Sequence, residues 1–223
     1  RANVDAALAW SARNDPALGL RIANGFGWTW VVLGDGVAGA GRMRAALDAC
    51  APVAVGDHDR VTALLLAGWL EASAGDVGQA QQDLDAARSA VDRTGDEGLL
   101  ADCDRYLAFL RIQQGRPMDV VAHSADAVAW YRRSGLDWET AAALLLGAFG
   151  SIMLGDTASA TRDAEEAVTL LRPLDDSWGL VHAKAMLGAV ADAEHRFDDA
   201  TGFLERAVAR SEALGFLGQE ALH

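Results

Sequence analysis

Apolar and small residues recur in a fixed register along the chain, and short polar turns mark each period. The turns Gly34-Asp35, Gly75-Asp76, Gly115-Arg116, Gly155-Asp156 and His195-Arg196 fall about forty residues apart. Seven residues before each turn the side chain is small: Gly27, Gly68, Ala108, Ala148 and Gly188. Five after it stand Gly39, Ala80, Val120, Ala160 and Ala200, and nine after it Met43, Leu84, Ser124, Ala164 and Leu204. Twelve after it the residue is alanine every time, at Ala46, Ala87, Ala127, Ala167 and Ala207. A register kept through five segments is an internal repeat, and it sets the fold before any single element does.

Small residues on both sides of a turn let two antiparallel helices approach closely, while larger ones pack into the next hairpin. The first helix of each unit is apolar and alanine-rich, as in Val61 to Ser73 or Thr140 to Met153. The second carries its charges on one face, as in Gln79 to Arg93 or Ala158 to Arg172. Asp35, Asp76 and Asp156 stand where a second-helix N-cap belongs, so their carboxylates are expected to accept from orphan backbone N–H groups. Gly95, Gly135 and Gly215 stand where a left-handed cap would end the second helix. The pattern predicts one all-α domain over 1–223, a right-handed superhelical solenoid of antiparallel helix pairs. It has a leading helix at 3–14 and repeats at about 16–56, 57–96, 97–136, 137–176 and 177–216, with a further helix starting at 217–223.

The offsets resemble those of the tetratricopeptide repeat, over roughly residues 16 to 216. Two features depart from that family. The period is about forty rather than about 34 residues, which implies longer second helices. The large first-helix residue is poorly kept, at Ala23, Leu64, Asp104, Leu144 and Lys184. The N-terminal stretch Asn3-Val4-Asp5-Ala6-Ala7-Leu8-Ala9-Trp10, followed by Leu18 to Ala23, Trp28, Trp30 and Gly34, resembles a more particular junction. It is similar to the start of the helical-repeat region in actinobacterial STAND signal-transduction ATPases related to SARP and LuxR/MalT-type transcriptional activators. That resemblance implies a non-catalytic sensing or interaction region beside DNA-binding and nucleotide-binding domains. No nucleotide-binding or DNA-reading residue of the family has a matching position here.

Charge agrees with that division of labour. Nineteen Lys plus Arg face thirty-two Asp plus Glu in 223 residues, a formal net charge of −13, so direct binding to nucleic acid or to an anionic membrane is not expected. No apolar run reaches the length of a membrane span. Cys50 and Cys103 lie in apolar helical contexts and read as buried free thiols in a reducing, cytoplasmic compartment. The start at Arg1, without a signal-peptide pattern, reads as a piece of a longer protein.

One glycine pattern competes with the repeat. Gly34-Asp35-Gly36-Val37-Ala38-Gly39 spells G-x-G-x-x-G after the strand-like Trp28 to Leu33, with Asp57 near a ribose-binding spacing. Gly34 and Gly39 also occupy repeat positions, however, and no strand–helix alternation follows, so the repeat turn is the better reading. There is no phosphate-binding loop, and the only lysine, Lys184, lies inside an apolar helix. His58, His123, His182, His195 and His223 lack metal-ligand spacing, and Ser73, Ser124 and Ser151 lack a companion base. The adjacent carboxylates Glu165-Glu166, Asp175-Asp176 and Asp198-Asp199 read as caps or solvated faces. No catalytic residue, metal or cofactor is expected.

One repeat position carries a sharper signal. Six residues before the turns stand Trp28, Trp69, Phe109, Phe149 and Ala189, in a chain that is 7% aromatic. In tetratricopeptide arrays this position tends to face the concave groove, together with those ten and three before the turn. The ten-before set is Asn24, Leu65, Arg105, Leu145 and Ala185, and the three-before set is Val31, Ala72, Ile112, Ile152 and Asp192. One reading makes Trp28, Trp69, Phe109 and Phe149 anchors for a protein or peptide partner or an apolar inducer, with Asn24 and Arg105 as polar contacts. The other makes the aromatic ladder ordinary core. The parent chain's other domains and a second protomer are further candidates for covering this face. The expected role is sensor and interaction region of a transcriptional regulator, and the alternative is a general scaffold without a small-molecule inducer.

Overall fold

The computed structural model describes residues 2–214, and these form eleven α-helices with no strand among them. They are α1 (Ala2–Asn14), α2 (Pro16–Val32), α3 (Gly36–Ala49), α4 (Asp57–Ser73), α5 (Val77–Thr94), α6 (Glu97–Gln113), α7 (Pro117–Ser134), α8 (Asp137–Met153), α9 (Thr157–Leu171), α10 (Ser177–Ala193) and α11 (Phe197–Leu214). The strand-like stretch from Trp28 thus lies in helix α2, and the glycine pattern after it is a helix–helix turn. Gly215 and the further helix expected from 217 lie outside the described residues.

All five turns are built alike. The residue at each turn is left-handed: Gly34, Gly75, Gly115 and Gly155 have φ of 65°, 90°, 65° and 78°, and His195 adopts φ 61°. The next backbone N–H then reaches back five residues to a first-helix carbonyl. The pairs are Asp35 to Trp30, Asp76 to Glu71, Arg116 to Arg111, Asp156 to Ser151 and Arg196 to Ala191, at 2.8 to 3.0 Å. This is the long-range bond of the Schellman cap, and the left-handed residue it requires is glycine at four of the five turns. Gly95 and Gly135, both with φ 68°, end α5 and α7 in the expected left-handed cap.

The capping expectation holds for two of the three aspartates. Asp76 and Asp156 accept from Gln79 N and Ser159 N, each at 3.0 Å. Asp35 occupies the N-cap position of α3 but makes no capping bond. Its carboxylate instead accepts from Arg42 at 3.1 Å, because Arg42 lies two helical turns along α3 and reaches back.

The chain divides into two compact units between Tyr106 and Leu107. In the first, α4 packs on α2, α3 and α5, and α1 lies on α2 and α3. The small positions are needed for closeness. A Cβ on Gly27 would stand 2.5 Å from Leu66 Cδ1, and one on Gly68 would stand 2.7 Å from Leu84 Cδ2. In the second unit α8 packs on α7, α9 and α10, and α10 on α9 and α11. The alanines twelve after each turn are buried in both units.

Candidate functional site

In the first unit the aromatic ladder closes on itself. Trp28 on α2 and Trp69 on α4 hold equivalent repeat positions, and their ring centroids lie 5.4 Å apart at 56°. Tyr106, three residues before the equivalent position on α6, stands 6.3 Å from Trp28 and 5.6 Å from Trp69, edge-on to the latter. Tilted and edge-to-face rings at these separations attract beyond the area they bury. The two indoles are half-buried and the phenol ring is buried.

Arg105 completes this cluster. Only 4% exposed, it sets its guanidinium 5.4 Å from the Trp28 centroid and 4.6 Å from that of Tyr106, with Asp102 at 3.8 Å. A cation held over two ring faces in a nearly dry site orders both rings. Burial raises the Tyr106 phenol above its ordinary range, with the Arg105 charge pulling the other way. Asn24 lies one turn before Trp28, and its Nδ2 donates to the Asp59 carbonyl at 2.9 Å, tying α2 to the start of α4. Its Oδ1 is buried without a hydrogen-bond partner.

The same repeat position is more open in the second unit. Phe109 on α6 is half-buried, and Phe149 on α8 is 40% exposed. Met153, one turn beyond Phe149, is 41% exposed, and Ala189 on α10 is exposed as well. Leu145 and Ile152 flank this stripe on α8 in half-buried positions. The neighbouring framework is fixed from below. Asp176 caps α10 by accepting from Trp178 N at 3.2 Å, and it also accepts from Trp138 Nε1 at 2.7 Å.

Of the six residues singled out in sequence, the structure brings Trp28, Trp69 and Arg105 together, with Asn24 on the same helix as Trp28. Tyr106 was missed. Its signal is the row nine before each turn, where Leu66 is also buried, so a tyrosine there inserts a large ring beside the ladder. Two partly buried ion networks also went unread in the sequence. Arg88 donates to Asp104 at 3.0 Å, which accounts for an acid at a position the repeat usually fills with a large apolar residue. Arg44 on α3 bonds both Glu71 on α4 and Asp83 on α5. The repeat position gave no warning of it, since Glu71 shares its row with Trp30, Arg111, Ser151 and Ala191.

Both cysteines are free and buried, and burial pushes the Cys103 thiol up to about 12, far from a reactive thiolate. Among the described residues no group of three or more His, Cys, Asp or Glu side chains could hold a metal ion. No helix among them is long and apolar enough to cross a membrane.

No protein-family model and no curated protein matches the sequence. Solved structures do match the fold. BtubC (BKLC) from P. vanneervenii is similar at 17% identity and a TM-score of 0.68, over 95% of this chain and 88% of that one. A kinesin light chain-like protein from Podosopora anserina, with nearly identical TPR-like repeats, is similar at 15% identity and a TM-score of 0.63. That match covers 90% of this chain and 97% of that one. The fold is therefore all-α and of the TPR-like helical-solenoid class.

Proposed function

We propose that this chain is a non-catalytic interaction region that binds a protein or peptide segment along the first-helix face of its repeats. The observation that carries the reading is the exposed aromatic–aliphatic stripe of Phe149 and Met153 on α8. Two large apolar side chains one turn apart, each about two-fifths exposed, are an anchor surface for a partner's apolar side chains. Half-buried Phe109 extends that surface within the second unit, while in the first unit Trp28 and Trp69 form a separate candidate patch whose rings and helices Arg105 and Asn24 position. The net charge of −13 favours a partner segment that carries basic residues around its apolar anchors.

The finer reading places this region in a multidomain transcriptional regulator with an ATPase core, in a cytoplasmic setting. It rests on the resemblance of the N-terminal junction from Asn3 to Gly34. In that setting a bound segment or apolar inducer shifts the parent chain between two states, provided it binds them with different affinity.

The test is capture from lysate of the source organism by the wild-type chain and by Phe149→Ser, Met153→Ser, with a thermal melt of each. The expected result is a melt close to wild type and loss of a protein that the wild type retains. Equal capture by both would remove the α8 stripe from the binding surface. Retention of a low-mass apolar compound in place of a protein would turn the reading to inducer sensing.

A further inference from the structure

We propose that Glu71, Asp83 and Arg44 form a proton-linked latch in the first unit. Glu71 takes up a proton beside Asp83 as the pH falls, and that uptake strengthens the packing of α3 on the α4–α5 hairpin.

The geometry is a shortage of positive charge in a closed place. The Glu71 and Asp83 side chains are only 7% and 6% exposed. A single nitrogen of Arg44, Nη2, donates to Glu71 Oε1 at 2.5 Å and also to Asp83 Oδ2. Gln79 Nε2 donates to Asp83 Oδ1 at 3.2 Å, and Glu71 Oε2 has no hydrogen-bond partner.

Among the described residues no second cation bonds either acid: Arg42 of α3 is held by Asp5 and Asp35, and Arg88 of α5 by Asp92 and Asp104. From α3 comes Arg44, and from α5 come Asp83 and the neutral Gln79. The only charged side chain of α2, Arg21, is exposed and bonds neither carboxylate. On the first-unit part of α6, Asp104 bonds Arg88, Arg105 lies over Trp28 with Asp102 beside it, and Glu97 is exposed in the first turn.

One guanidinium neutralises one carboxylate. With both acids ionised, the site holds a net negative charge away from water, which costs more than any surface ion pair returns. A proton on Glu71 removes that charge and supplies a donor between the two acids. Burial accordingly pushes Glu71 up to about 7, against the pull of the Arg44 bond and with the Asp83 charge reinforcing the rise. Burial draws Arg44 down, but its bonds to Glu71 and Asp83 outweigh this and keep it the protonated partner throughout.

The sign follows from linkage. A carboxyl whose folded value lies above its unfolded value stabilises the fold fully below the ordinary carboxylate range. That contribution is lost as the pH rises through the folded value. The first unit is therefore tighter at pH 5.5 than at pH 8, and the unfolding equilibrium constant rises by roughly tenfold or more across that window.

The experiment follows the Glu71 carboxyl carbon by NMR in the wild type and in Asp83→Asn, with urea unfolding of wild type and Glu71→Gln at pH 5.5 and pH 8. The expected midpoint for Glu71 lies near neutrality and falls by a pH unit or more in Asp83→Asn, where Arg44 is no longer shared. Glu71→Gln is expected to lose most of the pH dependence while remaining folded. A Glu71 midpoint below pH 5.5, or one unmoved by Asp83→Asn, overturns the latch. So does equal pH dependence in wild type and Glu71→Gln. The wild-type titration decides the matter even if a variant fails to fold.

Discussion

One repeat position meets two different fates in the two units. In the first, Trp28 and Trp69 turn toward each other and onto Tyr106, with Arg105 laid across the rings. In the second, Phe149 stands 40% exposed, with Met153 beside it on the same helix. The helix register is the same, so register alone does not decide whether a side chain is core or surface. The neighbours decide it. An indole paired with a second indole and a buried tyrosine has partners on several sides, whereas a phenylalanine followed along the array by Ala189 has no ring at the next equivalent position.

The largest effect should come from breaking the closed cluster. Trp69→Ala removes a ring that contacts both Trp28 and Tyr106, and it leaves a gap that the helices cannot collapse into, since Gly68 already sits against Leu84. A loss of about 3 kcal/mol is expected, at the low end for aromatic truncation because the indole is only half-buried. Urea unfolding of the whole chain checks it, and a loss below about 1 kcal/mol would mean the rings rest loosely on the surface.

A double-mutant cycle sharpens the contrast. Trp28→Ala and Trp69→Ala should couple by about 1 kcal/mol, the surplus expected of a tilted aromatic pair beyond its buried area. Phe149→Ala and Met153→Ala should couple by no more than about 0.5 kcal/mol, as exposed neighbours one helical turn apart do. Similar coupling in the two pairs would erase the distinction between cluster and stripe.

The fold was legible because its determinants are local and repeated. Five turns, each followed by an alanine at the same offset, carry the hairpin geometry in the register itself, and the structure places a left-handed residue at every one of them. The site was legible only in part. The ladder named Trp28 and Trp69, but nothing in the one-dimensional pattern distinguished them from Phe149. The distinction depends on Tyr106 and Arg105, which lie off the aromatic ladder. Arg105 looked like a ligand contact because a lone arginine in an apolar row invites that reading, whereas here it packs on two rings beside Asp102. Asp104 breaks the apolar row of the repeat because Arg88 pairs with it. Long-range charge pairing has no period, and so it leaves little trace in a repeat analysis.

The smallest expected effect belongs to the stripe. Phe149→Ala gives up a ring that already exposes two-fifths of its residue surface, and much of what it covers is its own helix. The lost burial is worth about 1 kcal/mol, near a third of the Trp69→Ala cost. Alanine also favours the helix slightly over phenylalanine, which offsets a few tenths of that figure. Urea unfolding beside Trp69→Ala under one set of conditions measures the ratio directly. A Phe149→Ala loss equal to that of Trp69→Ala would make the α8 stripe part of the core and remove the surface on which partner binding depends. A loss well below it leaves Phe149 as a large apolar ring kept at the surface with little return in stability, which is what an anchor for another molecule requires.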